Sequence, residues 1–181
     1  HLIGGWNGPN AGTFRIAGLG RAWAVGPTGR ERRRWQESVV WLPNDDHYEG
    51  ALGRLAYEKA GPDGSGVVTV DYQDVYSAHK QKQRLYSSYG GRRNDWAFVD
   101  SGISGLRSFA VDYSGKCGAP ALFVIVDKVR GGKDKVWLWQ VPSEEVGDHK
   151  SQMADVIIKD NTFTIRQGDA CLHATFAAPA P

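Results

Sequence analysis

The sequence predicts an all-β fold: an antiparallel β-sandwich of about ten or more strands, in a single domain over residues 1–181. Three observations carry this expectation. Apolar residues alternate with polar ones at the two-residue period of a half-buried strand. Such runs recur at a spacing of about ten residues, with Gly, Pro, Asn and Asp clustered between them. The chain holds 23 Gly, seven Trp and seven Tyr but one Met, a balance that suits pleated sheets and tight turns better than helices.

The elements follow in order. Phe14 and Ile16 alternate with Thr13 and Arg15, and "AGLG" (17–20) reads as a hairpin loop into a strand over 21–25 that stops at Gly26-Pro27. The Gly18–Gly20 pair does not make a dinucleotide site, because no third Gly follows and no helix is there to hold a pyrophosphate. A run over 38–42 ends at Pro43-Asn44-Asp45, 54–58 alternates, and a Gly-rich loop over 61–66 leads into 67–71. A helical turn is expected only within 76–85. Strands follow at 96–99 and 106–113, the latter with Phe109 and Val111 on one face. Residues 121–126 are apolar at every position, which predicts a central strand buried on both faces. Gly131 to Asp134 link it to 135–141 in what reads as the strongest hairpin of the chain. Strands at 155–159, 162–167 and 171–176 close the fold. Phe109, Val111, Phe123, Ile125 and Leu138 are the expected core.

Composition narrows the function classes. A hydrophobic fraction of 41% supports a sizeable core, and a formal charge of +2 does not mark the whole molecule as a polyanion binder. No apolar run is long enough for a membrane-spanning helix, and no signal peptide is visible. The first residue is His, so the chain reads as a piece of something longer. Cys117 and Cys171 lack metal-ligand spacing and are compatible with one disulfide or two thiols.

Three stretches carry a family resemblance. "NAGTF" (10–14), "RAWAVG" (21–26) and "WQESVVWLP" (35–43) follow the order and spacing of motifs that open the β domain of heparinase II/III-like polysaccharide lyases, and 107–142 resembles the same domain. The resemblance implies a β domain that follows an α/α-toroid, with an acidic polysaccharide bound in the cleft between them. It implies β-elimination, in which the proton on C5 of a uronic acid is removed and the C4–O bond breaks. A Tyr or His then serves as acid or base, and a cation neutralises the uronate. It further implies a secreted or periplasmic protein. Some members hold zinc through His and Asp.

Carried over residue by residue, those functional positions are altered. The two histidines of the first motif fall at Trp6 and Gly8 and its aspartate at Asn10; the aspartate after "W-A" falls at Gly26, and the histidine of the third motif falls near Glu37. Zinc takes imidazole, thiolate or carboxylate, so no metal or other cofactor is expected, no catalytic residue is assigned, and the chain alone is expected to be inactive as a lyase.

Two basic clusters are the candidate substrate contacts. Arg32, Arg33 and Arg34 precede Trp35; this cluster reads as a solvated loop or as a surface for the carboxylates or sulfates of an acidic glycan, to which Arg offers a two-pronged contact. Lys80, Lys82, Arg84, Arg92 and Arg93 are interleaved with Tyr76, Tyr86 and Tyr89, a mixture that suits a polysaccharide, a single-stranded nucleic acid or simply a long loop. His47, His79, His149 and His173 each read as surface or packing residues, and Trp137 with Trp139 as core or as a sugar platform. Three functions are therefore carried: the β domain of a lyase contacting an acidic polysaccharide, a stand-alone carbohydrate-binding module, and a structural or interaction domain. A toroid partner is expected; a membrane or nucleic-acid partner is not.

Overall fold

The computed structural model describes residues 11–27, 33–45, 53–85, 92–98, 100–142 and 154–177. The fold is all-β and antiparallel. Its strands are β1 (Ile16–Gly18), β2 (Arg21–Ala24), β3 (Val40–Trp41), β4 (Arg54–Ala60) and β5 (Gly66–Asp71). The short helix α1 (Asp74–Ser77) then leads into β6 (Ala78–Leu85) and β7 (Arg92–Phe98). The chain continues through β8 (Ser104–Asp112), β9 (Leu122–Arg130), β10 (Val136–Trp137), β11 (Asp155–Lys159), β12 (Thr162–Gln167) and β13 (Ala170–Thr175). Among the described residues these form a four-stranded sheet in the order β4-β5-β8-β9, a three-stranded sheet β11-β12-β13, and the pairs β1-β2, β3-β10 and β6-β7.

The opening glycine pair serves a hairpin. Leu19 and Gly20 lie between β1 and β2 with φ of 55° and 68°, and two successive positive values mark the turn whose twist matches that of the flanking strands. The last three strands fall within a residue of their expected bounds, and Asn161 lies in the turn joining β11 to β12.

Three expectations are corrected. Residues 121–126 do not form a doubly buried central strand: β9 lies at one end of its sheet, and Leu122, Val124 and Val126 are 44%, 47% and 55% exposed. Only Phe123 and Ile125 face inward and join the core. The 135–141 segment does not pair with β9. It pairs with β3, and Val39 and Leu138 exchange backbone hydrogen bonds of 3.0 and 2.8 Å. This crossing brings Trp137 and Trp139 into the core, whereas a local hairpin would only have widened the sheet. Finally, the helical turn expected within 76–85 covers only Tyr76 and Ser77, the end of α1, and 78–85 is not a loop but the strand β6, paired with β7 through a register shift between Lys80 and Lys82.

Two apolar clusters hold the sheets together. The larger gathers Phe14, Ile16, Trp23 and Ala24 from the first hairpin region, Phe109, Phe123 and Ile125 from the four-stranded sheet, and Phe163, Ile165 and Leu172 from the three-stranded one. The second packs Ala11, Val40, Leu42, Tyr72, Val75, Tyr76 and Ile103. Trp137 packs against both clusters. Phe109, Val111, Phe123, Ile125 and Leu138 are half-buried; the deepest apolar residues are instead Val39, Leu42, Tyr72 and Ile165.

A charged clamp crosses this core. Arg107 of β8 sits opposite Asp127 of β9 and makes two parallel hydrogen bonds to its carboxylate, each 2.7 Å. Its remaining nitrogen donates to the carbonyls of Gly12 and Ser38, at 2.7 and 3.2 Å. The guanidinium lies 5.0 Å from the Phe14 ring centre, and the Trp137 indole N–H donates to the same carboxylate at 3.1 Å. A buried charge is tolerated only when it is paired and hydrogen-bonded, and here both ions meet that condition.

Candidate functional site

The first basic cluster folds into a single 3-10 turn, Arg34–Gln36. With about three residues per turn, successive side chains diverge by roughly a third of a circle. The three described members of the cluster are thereby sent different ways: Arg33 and Trp35 are exposed, while Arg34 is fully buried. The turn is closed by Gln36 N–H and Glu37 N–H donating to the Arg33 and Arg34 carbonyls, at 2.9 and 3.1 Å. The Arg33 N–H donates to the Gln36 side chain at 2.9 Å, and Gln140 donates to the Trp35 carbonyl at 3.0 Å.

Arg34 is therefore removed from the glycan surface expected of it. Its guanidinium donates to the carbonyls of Ala11 (2.7 Å) and Val40 (3.5 Å) and to the Tyr76 hydroxyl (3.3 Å). It also lies over the Tyr72 and Tyr76 rings, 5.4 and 5.7 Å from their centres. The planar guanidinium satisfies several acceptors at once and stacks on rings, so Arg is the cation this pocket accepts. Tyr76 belongs to α1, and β6 begins two residues later, so Arg34 ties the turn carrying Arg33 and Trp35 to the root of the strand carrying Lys80, Lys82 and Arg84. In the β6–β7 ladder Lys80 stands opposite Trp96, Lys82 opposite Asp95 and Arg84 opposite Arg93. Arg32, Tyr86 and Tyr89 lie outside the described residues.

The exposed side chains at the turn are thus the Trp35 indole, 51% exposed, and the Arg33 guanidinium two residues before it. An indole face stacks on apolar ring surfaces, and a guanidinium holds carboxylates or sulfates. Trp137 and Trp139 form no such platform. They are half-buried in the core, and the Trp139 indole donates to the Trp23 carbonyl at 2.7 Å.

Two of the positions at which the resemblance implies metal ligands are described, and they meet in space. Gly26 has no donor side chain, and a Cβ there would overlap the Glu37 carboxylate. Glu37 is fully buried, with Arg15 Nη2 at 3.6 Å from its carboxylate. A single carboxylate beside a guanidinium is not a donor set that zinc takes. Among the described residues no group of three or more His, Cys, Asp or Glu is placed to hold a metal ion. Trp6, Gly8 and Asn10 lie outside the described residues.

Sequence reasoning missed two buried arginines, Arg34 and Arg107. The Arg107–Asp127 pair was visible in principle, because two adjacent antiparallel strands placed opposite charges 20 residues apart at matching inward positions. No family model, curated protein or solved structure matches the chain.

Proposed function

We propose that the chain is the β domain of a polysaccharide lyase of the heparinase II/III-like kind, and that it contributes contacts to an acidic glycan rather than a complete active site. The observation that carries this reading is the Arg33–Trp35 segment, in which an exposed cation and an exposed indole flank the buried Arg34 in sequence. The all-β fold and the placement of the three opening motifs agree with it. A uronic-acid polymer offers ring faces to Trp35 and carboxylates to Arg33, and Lys80, Lys82 and Arg84 of β6 are further cations in the proposed contact. Arg32, Tyr86 and Tyr89 belong to the same proposal by sequence. In this reading a toroid supplies the rest of the cleft, and the family resemblance implies a secreted or periplasmic location.

Affinity electrophoresis in gels cast with an acidic or a neutral polysaccharide tests this. Retardation is expected with heparan or alginate and not with dextran, and it should weaken with salt because exposed ion pairs are screened. Equal retardation in both gels would overturn the acidic-glycan reading. The chain alone is expected to give no rise in unsaturated-uronate absorbance; steady turnover would show that it is a complete enzyme.

A further inference from the structure

The outward face of the three-stranded sheet carries a constellation separate from the glycan surface. Cys171 and His173 are two residues apart on β13, and alternation along a strand puts both side chains on the same face. Both are exposed. The Cys171 Sγ lies 3.3 Å from His173 Nε2, and His173 Nδ1 lies 2.9 Å from the Thr164 hydroxyl on β12. The ladder places Thr164 opposite His173 and Arg166 opposite Cys171, with Asp155 of β11 opposite Arg166 in turn. Nucleophile, base and a group that orients the base therefore stand in sequence, as nucleophilic catalysis requires. In the tautomer that carries its proton on Nδ1, His173 donates to the Thr164 hydroxyl and Nε2 is the acceptor that faces the thiol.

The geometry points to Cys171 as a nucleophilic thiol, activated by His173 and Thr164, that exchanges with small disulfides bearing carboxylates. Among the described residues no pair of backbone N–H groups is placed to form an oxyanion hole on this face, and Arg166 is the one cation opposite Cys171 in the ladder, so disulfide exchange is favoured over acyl transfer. Disulfide exchange needs only in-line access to a sulfur, and Arg166 beside the thiol supplies a contact for an anionic reagent. In the step, the Cys171 S–H proton passes to His173 Nε2 while Sγ attacks one sulfur of the disulfide. An S–S bond to Cys171 forms, the original S–S bond breaks, and the second sulfur leaves as a thiolate, while the imidazolium gives its proton to that thiolate or, where the thiol is acidic, to solvent. One disulfide is consumed and one is formed, so no further oxidant or reductant enters.

The chain contains its own control. Cys117 is also an exposed free thiol, and its sulfur contacts the Ala119 carbonyl at 3.7 Å. The test follows release of the coloured thiolate from the dicarboxylate disulfide dithiobis(nitrobenzoate), using Cys117→Ser and Cys171→Ser to separate the two sites. Cys171 is expected to react about a hundredfold faster than Cys117, the low end of what a positioned base supplies. His173→Asn should bring Cys171 down to the rate of Cys117, and Thr164→Val should slow it, with Thr164→Ser restoring it. Arg166→Ala should slow reaction with this reagent but not with neutral bis(hydroxyethyl) disulfide. Equal rates at the two thiols, or a Cys171 rate indifferent to His173→Asn, would overturn the proposal. If His173→Asn unfolds the chain, which a change in the Cys117 rate would reveal, the comparison of the two thiols in the unaltered chain decides alone. Loss of selectivity between the two disulfides without loss of rate would remove the anionic specificity and with it that part of the proposal.

Discussion

Replacing Arg34 with Ala should destabilise the protein severely, while the same change at Arg33 should not. The truncation strips donors from two buried carbonyls and the Tyr76 hydroxyl and leaves a gap between the Tyr72 and Tyr76 rings. A hydrogen bond to a charged donor contributes about 1.5–3 kcal/mol, and an acceptor left buried without a partner costs on the order of 1–3 kcal/mol. A desolvated cation over an aromatic ring adds about 2 kcal/mol. Removing the cation also removes its own desolvation cost, so the sum is smaller than these parts, about 3–5 kcal/mol. That is a large share of the 5–15 kcal/mol by which a domain is typically stable, and for a chain of this size it lowers Tm by roughly 6–20 °C. Urea titration followed by tryptophan fluorescence measures it: the midpoint should fall by roughly 1.5–2.5 M at unchanged slope. Arg34→Lys should recover only part, because a point charge cannot serve spread acceptors together. Arg33→Ala should stay within about 0.5 kcal/mol. If Arg34→Ala were to cost less than about 1 kcal/mol, or no more than Arg33→Ala, the buried anchor would be refuted and all the arginines of the cluster would return to the surface.

Trp35→Ala should weaken acidic-glycan retardation about tenfold with little change in the urea midpoint, as befits a half-exposed interface aromatic. Asp127→Ala should cost about 3–5 kcal/mol by leaving Arg107 charged and unpaired in the core, and double replacement of Arg107 and Asp127 with Met and Leu should cost less than the single change. The Tyr72 hydroxyl is buried with no hydrogen-bond partner among the described residues, so Tyr72→Phe should be neutral or stabilising by about 1 kcal/mol in thermal unfolding. Burial, reinforced by the Asp127 carboxylate, pushes the Tyr72 phenol well above its ordinary range. The unfolded phenol therefore releases its proton first, at about pH 10, so stability holds below that pH and falls above it; Tyr72→Phe should flatten that alkaline decline.

The legible parts of the fold were the local ones. The Leu19–Gly20 turn and the strands at 155–159, 162–167 and 170–175 are set by turn chemistry and alternation within a few residues, and both are written in the sequence. What failed depended on distant partners. In 122–126 every side chain is apolar, so alternation could not reveal that Leu122, Val124 and Val126 face outward at a sheet edge. The preference for adjacent strands hid the pairing of β10 with β3, whose residues Val136 and Trp41 are far apart in the chain. Within "RERRRW" one guanidinium looks like another; only the 3-10 turn decides that Arg34 points inward. The Cys171–His173 spacing was readable, but Thr164 enters through cross-strand register. The altered motif positions were legible outright, and Gly26 against Glu37 gives them a steric meaning.

The way the first hairpin is covered bears on how the chain emerges during synthesis. Trp23, Phe14 and Ile16 are buried against Phe163, Ile165 and Leu172, and Gln167 donates to the Ala22 carbonyl across 145 residues. At about 5–20 residues per second, a ribosome needs roughly 7–30 s to make that much chain. Over that interval the hairpin's aromatic surface is covered only in stages, by Phe109, Phe123 and Trp137 before Phe163 and Ile165, and even the Arg107 bond to Gly12 spans 95 residues. Productive folding therefore waits for nascent segments far downstream, and slowed translation lengthens the window in which chaperone engagement or misassociation competes.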